Sequence, residues 1–102
     1  MLVSDKIIIA DVEIFPSSRE VYCCNCLVTM TGLEFNLLWL LMSNFPQLVT
    51  RESIAEHIFK RSLVESNRSI NMHISTIRKK LLVNTDKSQI KTFRGEGYVF
   101  NE

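Results

Sequence analysis

With 102 residues, 46% of them hydrophobic, and a formal net charge of +1, the chain can bury one core and no more. Its longest apolar run, residues 37–42, is far short of the roughly 20 residues that span a bilayer, and no basic-then-apolar leader opens the chain, so a cytoplasmic location is expected. The small net charge conceals a division. Residues 1–50 carry two bases (Lys6, Arg19) against five acids (Asp5, Asp11, Glu13, Glu20, Glu34), whereas residues 51–94 carry ten bases against four acids (Glu52, Glu56, Glu65, Asp86). Such a split implies one cationic face, the footprint of a polyanion site.

Residues 1–5 are expected to be a linker remnant ahead of one domain over residues 6–102. Four short strands follow, at 7–10, 12–15, 20–23 and 27–30, separated by turns near Asp11, at Pro16-Ser17-Ser18 and at Cys24-Asn25. The short connections imply an antiparallel meander. Cys23, Cys24 and Cys26 are too crowded for unstrained bridges and lack the separated ligand pairs of a zinc site, so reduced thiols are expected, with no metal and no cofactor.

Thr31-Gly32-Leu33-Glu34 is a capping box, and Met30 with Phe35 forms a hydrophobic staple around it. The helix that follows, over about 32–44, is apolar nearly all round and is expected to be the central buried helix, with Trp39 in the core. Pro46 stops it, and Leu48-Val49 is a short extended link. Thr50 caps a second helix over about 51–59, with Ile54 and Ile58 facing inward. Residues 60–65 are expected to be a loop, and Ser66 or Asn67 to cap a third helix that runs to about Leu82. After a polar turn over 83–88, residues 90–93 and 98–101 form a hairpin around Gly95-Glu96-Gly97. Helix, helix, helix, hairpin is the order of a winged helix.

The third helix has two faces. Ile70, Ile74, Ile77 and Leu81 form an apolar stripe. Ser69, Met72, His73 and Thr76 form another, with Arg68, Arg78, Lys79 and Lys80 around it. Short hydrogen-bonding groups flanked by cations are what a helix in a DNA major groove requires.

Four motifs in order carry a specific resemblance: residues 27–35 (Leu-Val-Thr-Met-Thr-Gly-Leu-Glu-Phe), Leu48-Val49-Thr50-Arg51-Glu52, residues 67–81, and Arg94-Gly95-Glu96-Gly97-Tyr98. The chain resembles the DNA-binding effector domain of OmpR/PhoB-type bacterial response regulators over nearly its whole length. Met72-His73 within Ile70-Asn71-Met72-His73-Ile74-Ser75 is most similar to the Cpx-type envelope-stress regulators. The resemblance implies an α+β winged helix-turn-helix with an N-terminal four-stranded antiparallel sheet, three helices and a C-terminal hairpin wing. It implies a two-component transcription regulator that binds direct-repeat promoter sites in double-stranded DNA, as a head-to-tail dimer on DNA and a monomer when isolated. It also implies that the loop Lys60, Arg61, Ser62, Leu63, Val64 and Glu65 touches RNA polymerase. The family carries its phosphorylatable Asp in a separate receiver domain, and no receiver fits in this chain.

Site roles follow. Arg68, Arg78 and Lys79 are expected to clamp phosphates, with Thr92 and Arg94 at the wing; positions matching His73 contact phosphate in the family. Thr50 and Arg51 open the second helix, whose amides can accept a phosphate while Thr50 also serves as a plain N-cap. Tyr98 either bonds a phosphate or packs under the wing. Base readout is expected from Ser69, Met72 and Thr76. Many relatives carry Arg where this chain has Thr76, so a guanine fork gives way here to contact with a thymine methyl or an adenine. Ser69 is equally suited to a solvated helix face, and Glu96 is expected to point away from phosphates. No nucleophile elbow, phosphate loop or Cys/His constellation suggests an enzyme. The alternative is a winged helix used for protein contact alone, with little dependence on salt.

Overall fold

The computed structural model describes residues 6–85 and 89–101; the expected linker at 1–5 and part of the turn at 83–88 lie outside them. Short turns build the first sheet, of two residues after its first and third strands and of four after its second. Strands β1 (Ile7–Ile9), β2 (Val12–Phe15), β3 (Glu20–Cys23) and β4 (Cys26–Val28) pair antiparallel in the order β1-β2-β3-β4. Cys24 and Asn25 both take positive φ, 54° and 66°, the mirror-image turn whose twist matches that of its flanking strands. That turn sets Cys23 opposite Cys26. The last strand therefore begins one residue before the expected 27–30 and ends at Val28, leaving Met30 for the staple. Val12, Ile14, Val21 and Cys23 point into the core, while Glu13, Phe15, Glu20 and Tyr22 lie half-buried on the outer face.

Helix α1 (Gly32–Ser43) begins where the capping box dictates. The Glu34 backbone N–H donates to Thr31 Oγ1 at 3.3 Å, and the Thr31 N–H donates to Glu34 Oε1 at 3.0 Å. The expectation of a central buried helix with Trp39 in the core is met on one side of α1 only, and Trp39 packs at the edge of the core. Phe35, Leu37, Leu38, Leu41 and Met42 are buried, but Leu33, Asn36 and Ser43 are exposed and Trp39 and Leu40 only half-buried. The helix packs against the first sheet and the C-terminal elements. Arg19, in the β2–β3 turn, fastens the sheet to α1: its Nη2 donates to Gly32 O at 3.2 Å and to Asn36 Oδ1 at 2.8 Å.

The second helix occupies the expected 51–59 but changes pitch within it. Helix α2 (Arg51–Ile54) passes into a π-helical turn, Ala55–Phe59, closed by Lys60 with φ 58°. Helix α3 (Leu63–Leu82) starts one turn before Ser66. Its cap is Ser62, whose Oγ accepts from the Glu65 N–H at 3.4 Å and donates to Glu65 Oε1 at 3.3 Å. The Ser-x-x-Glu pattern outcompetes Ser66 and Asn67 as the start. The expected loop 60–65 thus shrinks to Lys60, Arg61 and Ser62, and Leu63, Val64 and Glu65 become the first helical turn.

A second sheet, in the order β5-β7-β6, joins β5 (Val49–Thr50), β6 (Ile90–Phe93) and β7 (Gly97–Phe100). The last strand starts at Gly97, one residue before the expected 98–101, because Gly97 pairs with both Thr50 and Phe93. A Cβ on Gly97 would lie 2.0 Å from Val49 O, so only glycine permits this approach. The fold is a winged helix-turn-helix preceded by a four-stranded antiparallel sheet.

Candidate nucleic-acid interface

Ile70, Ile74, Ile77 and Leu81 are each 2% exposed or less and seat α3 on the core. Helical geometry then dictates the opposite stripe: Arg68, Met72, Ser75 and Lys79, at steps of 4, 3 and 4 residues, are all exposed, Met72 at 61%. Ser69, His73 and Thr76, expected on the outward polar stripe, instead lie half-buried on its flank. His73 sits edge-on to Phe59 with ring centroids 5.3 Å apart, and its Nδ1 is 2.8 Å from Ser69 O. A carbonyl only accepts, so the bond places a proton on Nδ1 and leaves Nε2 for another partner. Thr76 Oγ1 donates to Met72 O at 3.0 Å, which leaves a methyl and an acceptor oxygen. Ser75 is absent from the expected polar stripe, although its place opposite the isoleucines is legible from the 3.6-residue period.

Lys80 belongs elsewhere. Its ammonium is 2.6 Å from Oε1 of Glu34, a carboxylate with its side chain 8% exposed. Burial alone would raise the Glu34 pKa. The hydrogen bonds from Lys80 and from the Thr31 backbone, with the charges of Lys80 and His73, outweigh it and hold the carboxyl below its ordinary value.

The wing supplies a second cationic element. Lys91, Thr92, Phe93 and Arg94 are all exposed, and Gly95 (φ 76°) turns the chain at the tip. Glu96 is exposed there, and its backbone oxygen accepts from the Arg51 N–H at 3.1 Å. Lys91 joins the expected Thr92 and Arg94. Tyr98 is only 4% exposed, and its hydroxyl accepts from Arg51 Nη1 at 2.7 Å, so it packs under the wing with its polar tip engaged. Arg78 donates through Nε and Nη2 to Ile90 O, at 3.1 and 2.8 Å, and through Nη2 to the Thr92 hydroxyl. Arg51 also donates to Asn67 and Asn71 of α3. The Thr50 Oγ1 accepts from the Ser53 N–H at 3.1 Å, as an N-cap.

Two groups of cations result. Arg68, Lys79, Lys91 and Arg94 present exposed side chains around α3 and the wing; Arg51 and Arg78 are fastened to neighbouring atoms at the junction between them. The first turn of α3 carries Val64, 87% exposed, beside Lys60, Arg61 and Ser62. Among the described residues no helix is long and apolar enough to cross a membrane.

Residues 25–100 match the family described as "Transcriptional regulatory protein, C terminal". The chain is 36% identical over 85 residues to the transcriptional regulatory protein CpxR of Escherichia coli (strain K12), covering 82% of this chain and 37% of that protein. It is 33% identical over 98 residues to the alkaline phosphatase synthesis transcriptional regulatory protein PhoP of Bacillus subtilis (strain 168), covering 95% of this chain and 41% of that one. It thus spans well under half the length of either relative. Its fold superposes on the DNA-binding domain of CpxR from E. coli with a TM-score of 0.86 at 31% identity, covering 97% and 98% of the two chains. For the Klebsiella pneumoniae RstA DNA-binding domain, solved in complex with the RstA box, the TM-score is 0.84 at 30% identity, over 95% and 97%. The winged helix, its cationic wing and its placement at residues 25–100 lead to one conclusion: the chain belongs to the family of C-terminal domains of transcriptional regulatory proteins.

Proposed function

We propose that the chain binds double-stranded DNA sequence-specifically, as the effector domain of a two-component transcription regulator in the cytoplasm. Helix α3 enters the major groove and the β6–β7 wing lies near the minor groove. The reading rests chiefly on the exposed stripe of α3, with Arg68 and Lys79 on either side of Met72 and Ser75, set beside a wing bearing Lys91 and Arg94. A helix with cations at the edges and short or apolar groups at the centre suits a groove walled by phosphates. The RstA domain, similar in fold, is known in complex with its DNA box.

Within that reading, Arg68, Lys79, Thr92 and Arg94 hold phosphates, and His73 offers them Nε2. Thr50, Arg51, Arg78 and Tyr98 contribute at the rim with the groups their internal bonds leave over. Met72, Ser69 and Thr76 read bases, Thr76 through its methyl and acceptor oxygen. Two copies sit head-to-tail on direct repeats while the isolated chain is a monomer, and Lys60, Arg61, Ser62, Leu63, Val64 and Glu65 meet RNA polymerase.

Duplexes selected by the chain from a random library provide the test. With about four phosphates neutralised, the logarithm of affinity falls with the logarithm of salt at a slope of about −3 to −4. Failure to retain any duplex at low salt overturns the proposal, and binding insensitive to salt points instead to a protein-contact module.

A further inference from the structure

Three elements meet at Tyr98. Arg51, at the start of α2, donates from Nη1 to the Tyr98 hydroxyl at 2.7 Å and from Nη2 to Asn71 Oδ1 at 2.9 Å. Asn71 Oδ1 also accepts from the Tyr98 hydroxyl at 3.3 Å. From two turns further along α3, Arg78 holds Ile90 O and the Thr92 hydroxyl of β6. The two guanidinium carbons stand 5.7 and 5.9 Å from the Tyr98 ring centroid.

We propose that Arg51, Tyr98 and Arg78 are positioning residues that fix the angle between α3 and the wing, so that sequence preference in the major groove depends on atoms behind the DNA-facing surface. The inference rests on the DNA-binding reading above. Ile90 and Phe100 seat the base of the wing hairpin in the core. Towards the exposed tip, among the described residues, its backbone is held laterally only by the two residue pairs of β5 with β7 and the Arg51 N–H on Glu96 O. Side chains between α3 and the wing therefore add to what sets their angle. Ordering two long arginine side chains costs entropy that a purely electrostatic role would not require. Among the described residues their hydrogen-bond partners are a phenol, two asparagine side chains, two backbone carbonyls and a threonine, none of them a carboxylate. Neutral acceptors fix the guanidinium planes without cancelling their charge, so the junction stays rigid and cationic at once.

Tyr98→Phe keeps the ring and removes the hydroxyl; Arg51→Lys keeps the charge and removes the fork. Each is measured against wild type with the library-selected duplex and with a shuffled duplex of equal composition, over a salt series, alongside a thermal melt. For both variants we expect selected-duplex affinity to fall about tenfold, the size of one lost specific contact. Shuffled-duplex affinity should fall by clearly less than that, since the rim contacts of these residues are shared by every sequence, and the salt slope should not change, because neither variant removes a charge. Equal losses on both duplexes would make these residues plain phosphate ligands, and wild-type behaviour of Arg51→Lys would reduce its role to charge; either overturns the inference while leaving DNA binding intact. No binding by the wild type would instead overturn the underlying reading.

Discussion

Lys80 on α3 places its ammonium 2.6 Å from the carboxylate of Glu34 on α1, and that carboxylate is also the second half of the α1 capping box. One oxygen, Oε1, accepts from both the Lys80 ammonium and the Thr31 backbone N–H. The start of the first helix and the packing of the third are therefore coupled through a single buried group. Because Lys80 is engaged here, it is withdrawn from the cationic surface that its neighbour Lys79 presents.

This pair gives the fold a pH dependence on its acid side. The Glu34 pKa is held below its ordinary value of 4.5 in the folded chain, so the unfolded chain binds the proton more readily. The contribution is fully present above the unfolded value and is lost as pH falls through the folded one. Lys80→Met should remove about 1–3 kcal/mol at pH 7, the cost of leaving a buried polar group short of its partner. Urea denaturation at pH 7 and at successively lower pH checks it: the gap between variant and wild type should close as Glu34 protonates. A gap of constant size would mean that the lost packing of the lysine stem, and not the ion pair, was responsible.

Gly97 carries a steric prediction. A methyl group there would meet Val49 O at 2.0 Å, and both atoms belong to paired backbone that cannot rotate away. Gly97→Ala should therefore part β5 from β7 and cost at least about 1–3 kcal/mol, with increased amide exchange at Val49 and Thr50. Gly95 offers a contrast, since a Cβ there would meet nothing within 4 Å but its φ is +76°. Gly95→Ala should cost about 1–2 kcal/mol through backbone strain alone, and Gly95→Asn less, because Asn tolerates that region. Equal melting temperatures for Gly97→Ala and wild type would show that the strand contact is not as close as described.

These two features mark what the sequence made legible and what it did not. The capping box at Thr31, the isoleucine stripe of α3 and Gly95 of the wing are local patterns whose cause lies within a few residues, and each stands where periodicity or turn chemistry predicts. Gly97, in contrast, lies in β7 and is required by the distant Val49 O. The start of α3 is local as well: Ser66 and Asn67 are good caps too, but only Ser62 has a Glu three residues on to complete the pattern. The Lys80–Glu34 and Arg51–Tyr98 contacts join residues 46 and 47 positions apart, and no spacing rule reaches that far. The outward place of Ser75 is of the local kind, since it follows from the isoleucine stripe and the 3.6-residue period.

The cysteines divide by environment. Cys23 is fully buried, and burial, followed by the neighbouring Cys24, pushes its thiol up to about 11; Cys24 and Cys26 are exposed. Since the thiolate is the reactive form, an aromatic disulfide reagent at pH 8 should label the two exposed thiols promptly. The third should react only when denaturant is added. Prompt reaction of all three would show that the β3–β4 hairpin does not seat Cys23 against the C-terminal end of α3, where its Sγ lies 3.7 Å from Leu81 O.

Thr76 separates reading from positioning within the proposed interface. Its hydroxyl proton is committed to Met72 O, so the side chain presents a methyl and a lone pair outward. Thr76→Val keeps the methyl and loses the oxygen; Thr76→Ala loses both. If the methyl reads a thymine, selection from a random library with Thr76→Val should return the wild-type site, while Thr76→Ala should relax one base pair at a cost of about 1–3 kcal/mol in discrimination. If the oxygen accepts from an adenine, both variants should relax that position alike. Arg94→Ala serves as the comparison, expected to weaken every duplex equally and to lower the salt slope by about one. Unchanged selection by Thr76→Ala would remove Thr76 from the readout and leave Met72 and Ser75, on the more exposed stripe, as the groups nearest the bases.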